Sequence, residues 1–388
     1  MLSADIKSRI FINKLILTVL IITPIFTFQE SLWLIFGEGG FFNYSKAITP
    51  VYVKGLKDLF FIAIILISMI HIIQNLSINR MAARILGFIF LLVILPGFYF
   101  STDTLIFLSG LRWLMPFILI AFLINHIEKD FLYKVGSILF YLFILHFTLQ
   151  IIQYFFAMNP YMRNPGIFIV PNTAAVFAVI VLFFSKFYMK ADLEKKIYLL
   201  IPVSIFLTQS GTGIGIYVLF MVIFYIKRAV YKYVPIIIIL ITVILMLYLD
   251  DLSGRTGLVE NSFGPRIAIF FNVLGFSVLL PEYFGHGTAT SHLIANSYGI
   301  ALETAMTDSW YAGIMINLGL LISFIIMTGV TYLFFKFLRD GDREKLLFLM
   351  IYLSFGVTSS ISESYPANLL FAVIVAFYLK PKNINFMK

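Results

Sequence analysis

The chain has 388 residues, 61% of them hydrophobic and 12% charged, with a formal net charge of +9. Soluble domains run to about 45–50% apolar and about 25% charged residues, so a soluble globular protein is excluded. With no cysteine, disulfides, thiolate metal sites, cysteine nucleophiles and acylated cysteines are excluded as well.

Stretches of about 20 apolar residues recur along the whole length, the pattern of a polytopic helical membrane protein. In chain order the sequence predicts helices at 10–28, 57–76, 82–101, 104–125, 131–157, 166–187, 197–209, 212–228, 233–249, 309–336, 346–361 and 367–380. The first run follows Lys7, Arg9 and Lys14. Thr23-Pro24 and Gln29-Glu30 break it without a small-x-small cleavage site, so a retained helix is expected rather than a cleaved leader. The short runs 197–209 and 367–380 fit tilted or broken spans.

A cytoplasmic N-terminus puts 21 of the 28 Lys and Arg in inside segments, and every inside loop then carries cations. The positive balance is thereby assigned to membrane orientation and not to nucleic acid. The expected architecture is one all-α integral membrane domain over 1–388, with about twelve transmembrane helices and both termini cytoplasmic. One outer loop, 250–308, is far longer than most others. Its apolar stretch 268–281 is too short to span and reads as an interfacial or re-entrant helix.

Few groups on the outer side can do chemistry. Arg163 stands in "MRNPGIFIVPN" (162–172), where Pro165, Gly166 and Pro171 interrupt regular helix. Its fork of donors matches a phosphate or pyrophosphate bidentately; the alternative is an interfacial arginine among lipid headgroups. Arg255 and Arg266 are the two cations of the long loop. Arg266 directly precedes the apolar stretch, so an anionic lipid headgroup held there would lay its tail alongside; plain loop solvation is the alternative for both. Arg112, in "LSGLRWLMPF", lies inside a predicted span. An intramembrane arginine is costly, which marks a functional candidate unless Asp103 or a helix dipole neutralises it.

His286 and His292 stand in "GHGTATSHLIAN" at a spacing that fits no helical metal pair, so no metal is expected. One of them acting as a general base toward a hydroxyl is one reading, and an ordinary loop histidine the other. Thr307, Asp308 and Ser309 are all N-cap residues, so Asp308 either caps the next helix or faces a cavity as a proton acceptor. "SGTGIGI" (210–216) follows no strand and reads as a tight outer turn with close helix packing, not a nucleotide loop. His146, Gln150 and Gln153 follow i, i+4, i+7 spacing and share a face expected to point into the bundle, and His71 is a further intrahelical histidine.

These pieces resemble the O-antigen polymerase (Wzy) family, within the superfamily that also holds the O-antigen ligases (WaaL). The layout of about twelve helices with one large, late periplasmic loop is similar over most of the chain, and implies a GT-C-like architecture. "RNPGIFIVPNTAAVF" is similar to the family's Arg–Gly–Phe–Pro-Asn segment and places Arg163, Gly166, Pro171 and Asn172. "LTQSGTGI" looks like the family's polar helix end, and "GPRIAIF" like the loop arginine before an aromatic-rich helix, here Arg266. "TDSWYAGIMINLGLLISF" resembles the loop-exit motif, with its glycine at Gly319. Ligases and many polymerases carry a His-Asn-like pair at that exit, whereas Asp308-Ser309 stands here. The base then falls to Asp308, His286 or His292, and the resemblance favours a polymerase over a ligase.

What the resemblance implies is a glycosyltransferase of the bacterial inner membrane. It would move a growing glycan from undecaprenyl pyrophosphate to a lipid-linked repeat unit on the periplasmic face. Ligation to lipid A core and repeat-unit flipping are the alternatives. Arg163 and Arg266, supported by Arg112, would stabilise charge growing on the pyrophosphate, with Arg255 and Asn172 also binding substrate. No cofactor or metal is implied. The implied partners are the lipid-linked oligosaccharide, membrane lipid, and the chain-length regulator and flippase of the same pathway.

Overall fold

The computed structural model describes residues 4–27, 51–75, 80–101, 103–156, 163–168, 170–238, 240, 273, 278–298, 302 and 309–380. Regular structure among them is helical, without strands. The helices are α1 (Ala4–Ile21), α2 (Val51–Asn75), α3 (Arg80–Phe100), α4 (Thr104–Leu123), α5 (Lys129–Phe156), α6 (Pro171–Phe187) and α7 (Ala191–Ile197), then α8 (Leu200–Leu207), α9 (Gly211–Tyr225), α10 (Ala289–Tyr298), α11 (Trp310–Asp340), α12 (Arg343–Thr358) and α13 (Ala367–Leu379). Among the described residues, five stretches are long and apolar enough to cross a membrane: Arg9–Thr27, Arg80–Phe100, Thr104–Leu123, Lys129–Phe156 and Trp310–Asp340. This is the make-up of a helical membrane protein.

Local chemistry sets several helix ends. Asp103 caps α4, its Oδ1 accepting the N–H groups of Leu105 and Ile106 at 2.8 and 3.1 Å. Pro171 opens α6, where its missing N–H costs nothing. Gly341 ends α11 in the left-handed region (φ 65°), and Asp342 then caps α12 through Lys345 N–H at 3.2 Å. Inside α3, Phe90–Ile94 form a π-turn.

The core sits around α6. Its residues 174–185 are all buried, and it touches α5, α7, α8, α9, α12 and α13. A helix apolar on every side belongs at the centre of a bundle. Small residues bring its neighbours close: a Cβ added to Gly213 of α9 would run into Ala175.

The bundle has two chemically different ends. At one, Glu128 accepts from Arg9 at 3.0 Å and from Lys380 at 3.5 Å, and Lys186 pairs with Glu194 at 2.7 Å. Arg343 donates there to Tyr231 Oη (2.7 Å) and the Ile226 carbonyl (3.0 Å), and Glu344 accepts from the hydroxyls of Tyr188 and Tyr378. The loop before α5, the α6–α8 linker, the segment after α9, the α11–α12 turn and the end of α13 therefore meet at one cation-rich end. The opposite end holds the segment 163–170, the starts of α4, α9 and α11, and the α12–α13 connector.

Two expectations are corrected. The helix expected over 166–187 begins at Pro171, because Pro165 and Gly166 (φ 60°) turn the chain, leaving 163–168 non-helical. Asp103 spends its carboxylate on the α4 cap and does not neutralise Arg112. Of the expected 268–281 helix, Val273 is helical and 278–281 are not; the rest of that stretch, together with Arg255, Arg266 and Asp308, lies outside the described residues, as does the side chain of His71.

Candidate functional site

The first polar centre is built on α5. His146, Gln150 and Gln153 are buried to 0%, 0% and 1% exposure, on the one face their spacing requires. They address the backbone of 164–167. Gln153 pairs with Gly166 in both directions, its Nε2 donating to the carbonyl at 2.9 Å and its Oε1 accepting the N–H at 2.7 Å. Gln150 Nε2 donates to the carbonyls of Asn164 (2.9 Å) and Ser204 (3.2 Å), and Ser204 Oγ donates back to Gln150 Oε1 at 2.6 Å. Ile167 N–H donates to His146 Nδ1 at 3.4 Å, which requires that nitrogen to carry no proton. Side chains thus supply the partners that a non-helical backbone lacks inside an apolar bundle.

Arg163 extends from this segment, its Nε donating to the Thr208 carbonyl at 3.3 Å. Asn164 N–H bonds to the Leu207 carbonyl at 3.0 Å, so the segment is pinned to the end of α8 as well. Asn172 Oδ1 accepts from Ser210 Oγ at 2.8 Å, and that oxygen accepts Gly213 N–H at 3.2 Å, capping α9. The tight turn expected over 210–216 is corrected: only Ser210 lies outside regular helix, and Gly211 already begins α9.

The second centre is built on the segment 278–292. Phe284 fills the space left by Gly97 and Gly110, where an added Cβ would come within 2.8 and 2.6 Å of its ring. Opposite, Asn317 Oδ1 accepts the N–H groups of Gly285 (2.9 Å) and Gly287 (3.1 Å). Helix α11 breaks at Gly319 (φ 75°), and the freed N–H groups of Leu320 and Leu321 donate to the carbonyls of Val278 and Leu279 at 2.9 and 3.3 Å. His286 therefore sits between two glycines held by one buried amide.

Next to it, Arg112 Nε donates to Asp58 Oδ2 at 2.8 Å and Nη1 to Thr290 Oγ1 at 2.5 Å. The N–H and hydroxyl of Thr290 both donate to Glu363 Oε1, at 3.1 and 2.8 Å. An arginine near the membrane is thereby neutralised by one carboxylate directly and a second through a hydroxyl. His292 follows on α10. Burial holds its imidazole below the ordinary 6.5, opposed by the carbonyl of His286 and the charge of Glu363, so it is neutral at pH 7.

The α12–α13 connector joins the two centres. Thr358, ending α12, accepts from Thr212 of α9 at 3.0 Å, and Glu363 holds Thr290 of α10. Of the predicted site residues, Arg163 and Asn172 fall in the first centre, with Asn172 serving a helix cap, and Arg112, His286 and His292 in the second. No group of three or more His, Asp or Glu among the described residues is arranged to hold a metal. Sequence reasoning missed Asp58, Asn317 and Glu363. Glu363 carried a signal, being the one carboxylate between Glu344 and the last residue. Asp58 at the mouth of an apolar run carried one too, since such a carboxylate requires a cation. No family model, curated protein or solved structure matches this chain.

Proposed function

We propose that this protein is a polymerase of surface-polysaccharide repeat units, a glycosyltransferase using undecaprenyl-pyrophosphate-linked substrates. In this reading the chain crosses the bacterial inner membrane twelve times, its cation-rich end is cytoplasmic, and the polar centres face the periplasm with the long loop 250–308 over them. The acceptor's sugar hydroxyl attacks the anomeric carbon of the donor glycan. The bond to undecaprenyl pyrophosphate breaks, the leaving group takes the electron pair, and a base takes the hydroxyl proton. Arg163, Arg112 and Arg266 stabilise the charge developing on the pyrophosphate, which lowers the barrier because that charge is larger in the transition state. Asp308, His286 and His292 are the candidate bases.

One observation carries this reading: Arg112, Arg163 and a histidine-bearing segment converge on a single bundle end, each in a fixed polar frame. The interior polar groups of α5 also disfavour a flippase, because they are committed to the backbone of 164–167 rather than lining a path. The test is purified protein in liposomes with lipid-linked repeat units. Longer glycans are expected, and their absence from correctly folded protein removes the reading. In cells, loss of the gene should leave core lipid bearing a single repeat unit; loss of all attached glycan would mark a ligase instead.

A further inference from the structure

Inside a bundle, a continuous helix would satisfy every N–H and C=O of residues 164–167 without help from any side chain. This chain instead places Pro165 and Gly166 there, and three fully buried polar residues on α5 to repair the loss. Gln153 forms with Gly166 the two-way pair that a neighbouring strand would form, at 2.7 and 2.9 Å. Gln150 holds the carbonyl next to Arg163, and His146 takes the N–H of Ile167. Nothing in this arrangement improves packing, since apolar side chains would fill the seam at lower cost. It fixes the depth and direction of the residue that precedes it, Arg163.

We propose that His146, Gln150 and Gln153 are positioning residues for Arg163, acting through the backbone of 164–167 to hold its guanidinium at the Thr208 carbonyl, where it meets a phosphoryl-bearing substrate. The substrate class rests on the polymerase reading; the positioning does not. Misplacement of a catalytic group by about 1 Å can cost about 100-fold in rate. Gln153→Met keeps the length and removes both bonds to Gly166.

Two measurements test this. In chain-extension assays, Gln153→Met should lower turnover on the order of 10–100-fold, and Gln153→Met added to Arg163→Ala should cost nothing further, because both act through one group. Independent losses that multiply would make the seam a scaffold only and overturn the proposal. The second needs no activity. The chain has no cysteine, so Arg163→Cys gives a single reporter for a membrane-impermeant maleimide. Gln153→Met in that background should change its labelling rate on the order of tenfold, with the protein still monodisperse. An unchanged rate overturns the proposal. A changed rate, with the native chain itself never extending glycans, leaves the positioning intact and removes the polymerase reading.

Discussion

Arg112 and Arg163 have similar chemistry and different surroundings. Arg112 is tied to Asp58 and, through Thr290, to Glu363, so much of its charge is already answered by protein. The bond described for Arg163 is to a backbone carbonyl, a neutral acceptor that orients a guanidinium without cancelling its charge. The polymerase reading puts that guanidinium against the pyrophosphate. Arg163→Ala should slow chain extension on the order of 100–1,000-fold while membrane levels of the protein hold, as gel ladders and blotting would record; wild-type ladders would remove Arg163 from the reaction. His292 carries a pH prediction. Burial disfavours its imidazolium, so the neutral, base-competent form persists as pH falls through 6.5, and the acid limb of the rate profile should lie below that value. Among the described residues, the groups facing it are the His286 carbonyl and the Glu363 carboxylate, with Arg112 beyond Thr290. Glu363→Gln keeps an acceptor for Thr290 and removes a charge that favours imidazolium, so the limb should move lower still. By the same linkage this imidazole subtracts stability as pH drops below 6.5, where the unfolded chain takes up the proton first. An acid limb that does not move in Glu363→Gln would exclude His292 as the base.

Helix α11 shows what an element gains by being broken. A straight helix would leave 278–288 no backbone to bond, and the kink supplies two N–H groups to the carbonyls of Val278 and Leu279. Gly319 permits it twice over, through its positive φ and because a Cβ there would lie 2.6 Å from the carbonyl carbon and oxygen of Leu280. Gly319→Ala should cost on the order of 1–3 kcal/mol from backbone strain alone and more from the clash, lowering the unfolding temperature in detergent. An unchanged unfolding temperature would mean the break is not needed. The sequence made much of this scale readable. Helices start and stop near the predicted positions because membrane spans announce themselves by composition, and the α5 seam was visible in the spacing of His146, Gln150 and Gln153. The partners of that seam were not visible, because they are backbone groups of a segment that Pro165 and Gly166 bend out of helix. Long-range pairs such as Asp58 with Arg112, or Asn317 with Gly285, leave no local periodicity to read.

At the scale of the whole molecule, the charged segments divide by end. The residues before α5, between α6 and α8, after α9, between α11 and α12, and at the end of α13 bond to one another, and the same segments hold most of the positive charge assigned to the cytoplasm by the positive-inside rule. Two independent properties, spatial convergence and charge, thus select the same set of loops. Glycan assembly on a polyprenyl carrier needs the opposite end to be periplasmic, so topology is a prior condition for the proposed chemistry. The absence of cysteine makes the test direct. Single cysteines at Ser359, in the α12–α13 connector, and at Gly341, in the α11–α12 turn, should respond oppositely to an impermeant maleimide added to intact spheroplasts. Ser359→Cys should label in intact cells, and Gly341→Cys only after the membrane is opened. The reverse pattern would turn the histidine and arginine centres toward the cytoplasm, and no reaction on periplasmic repeat units could then take place there.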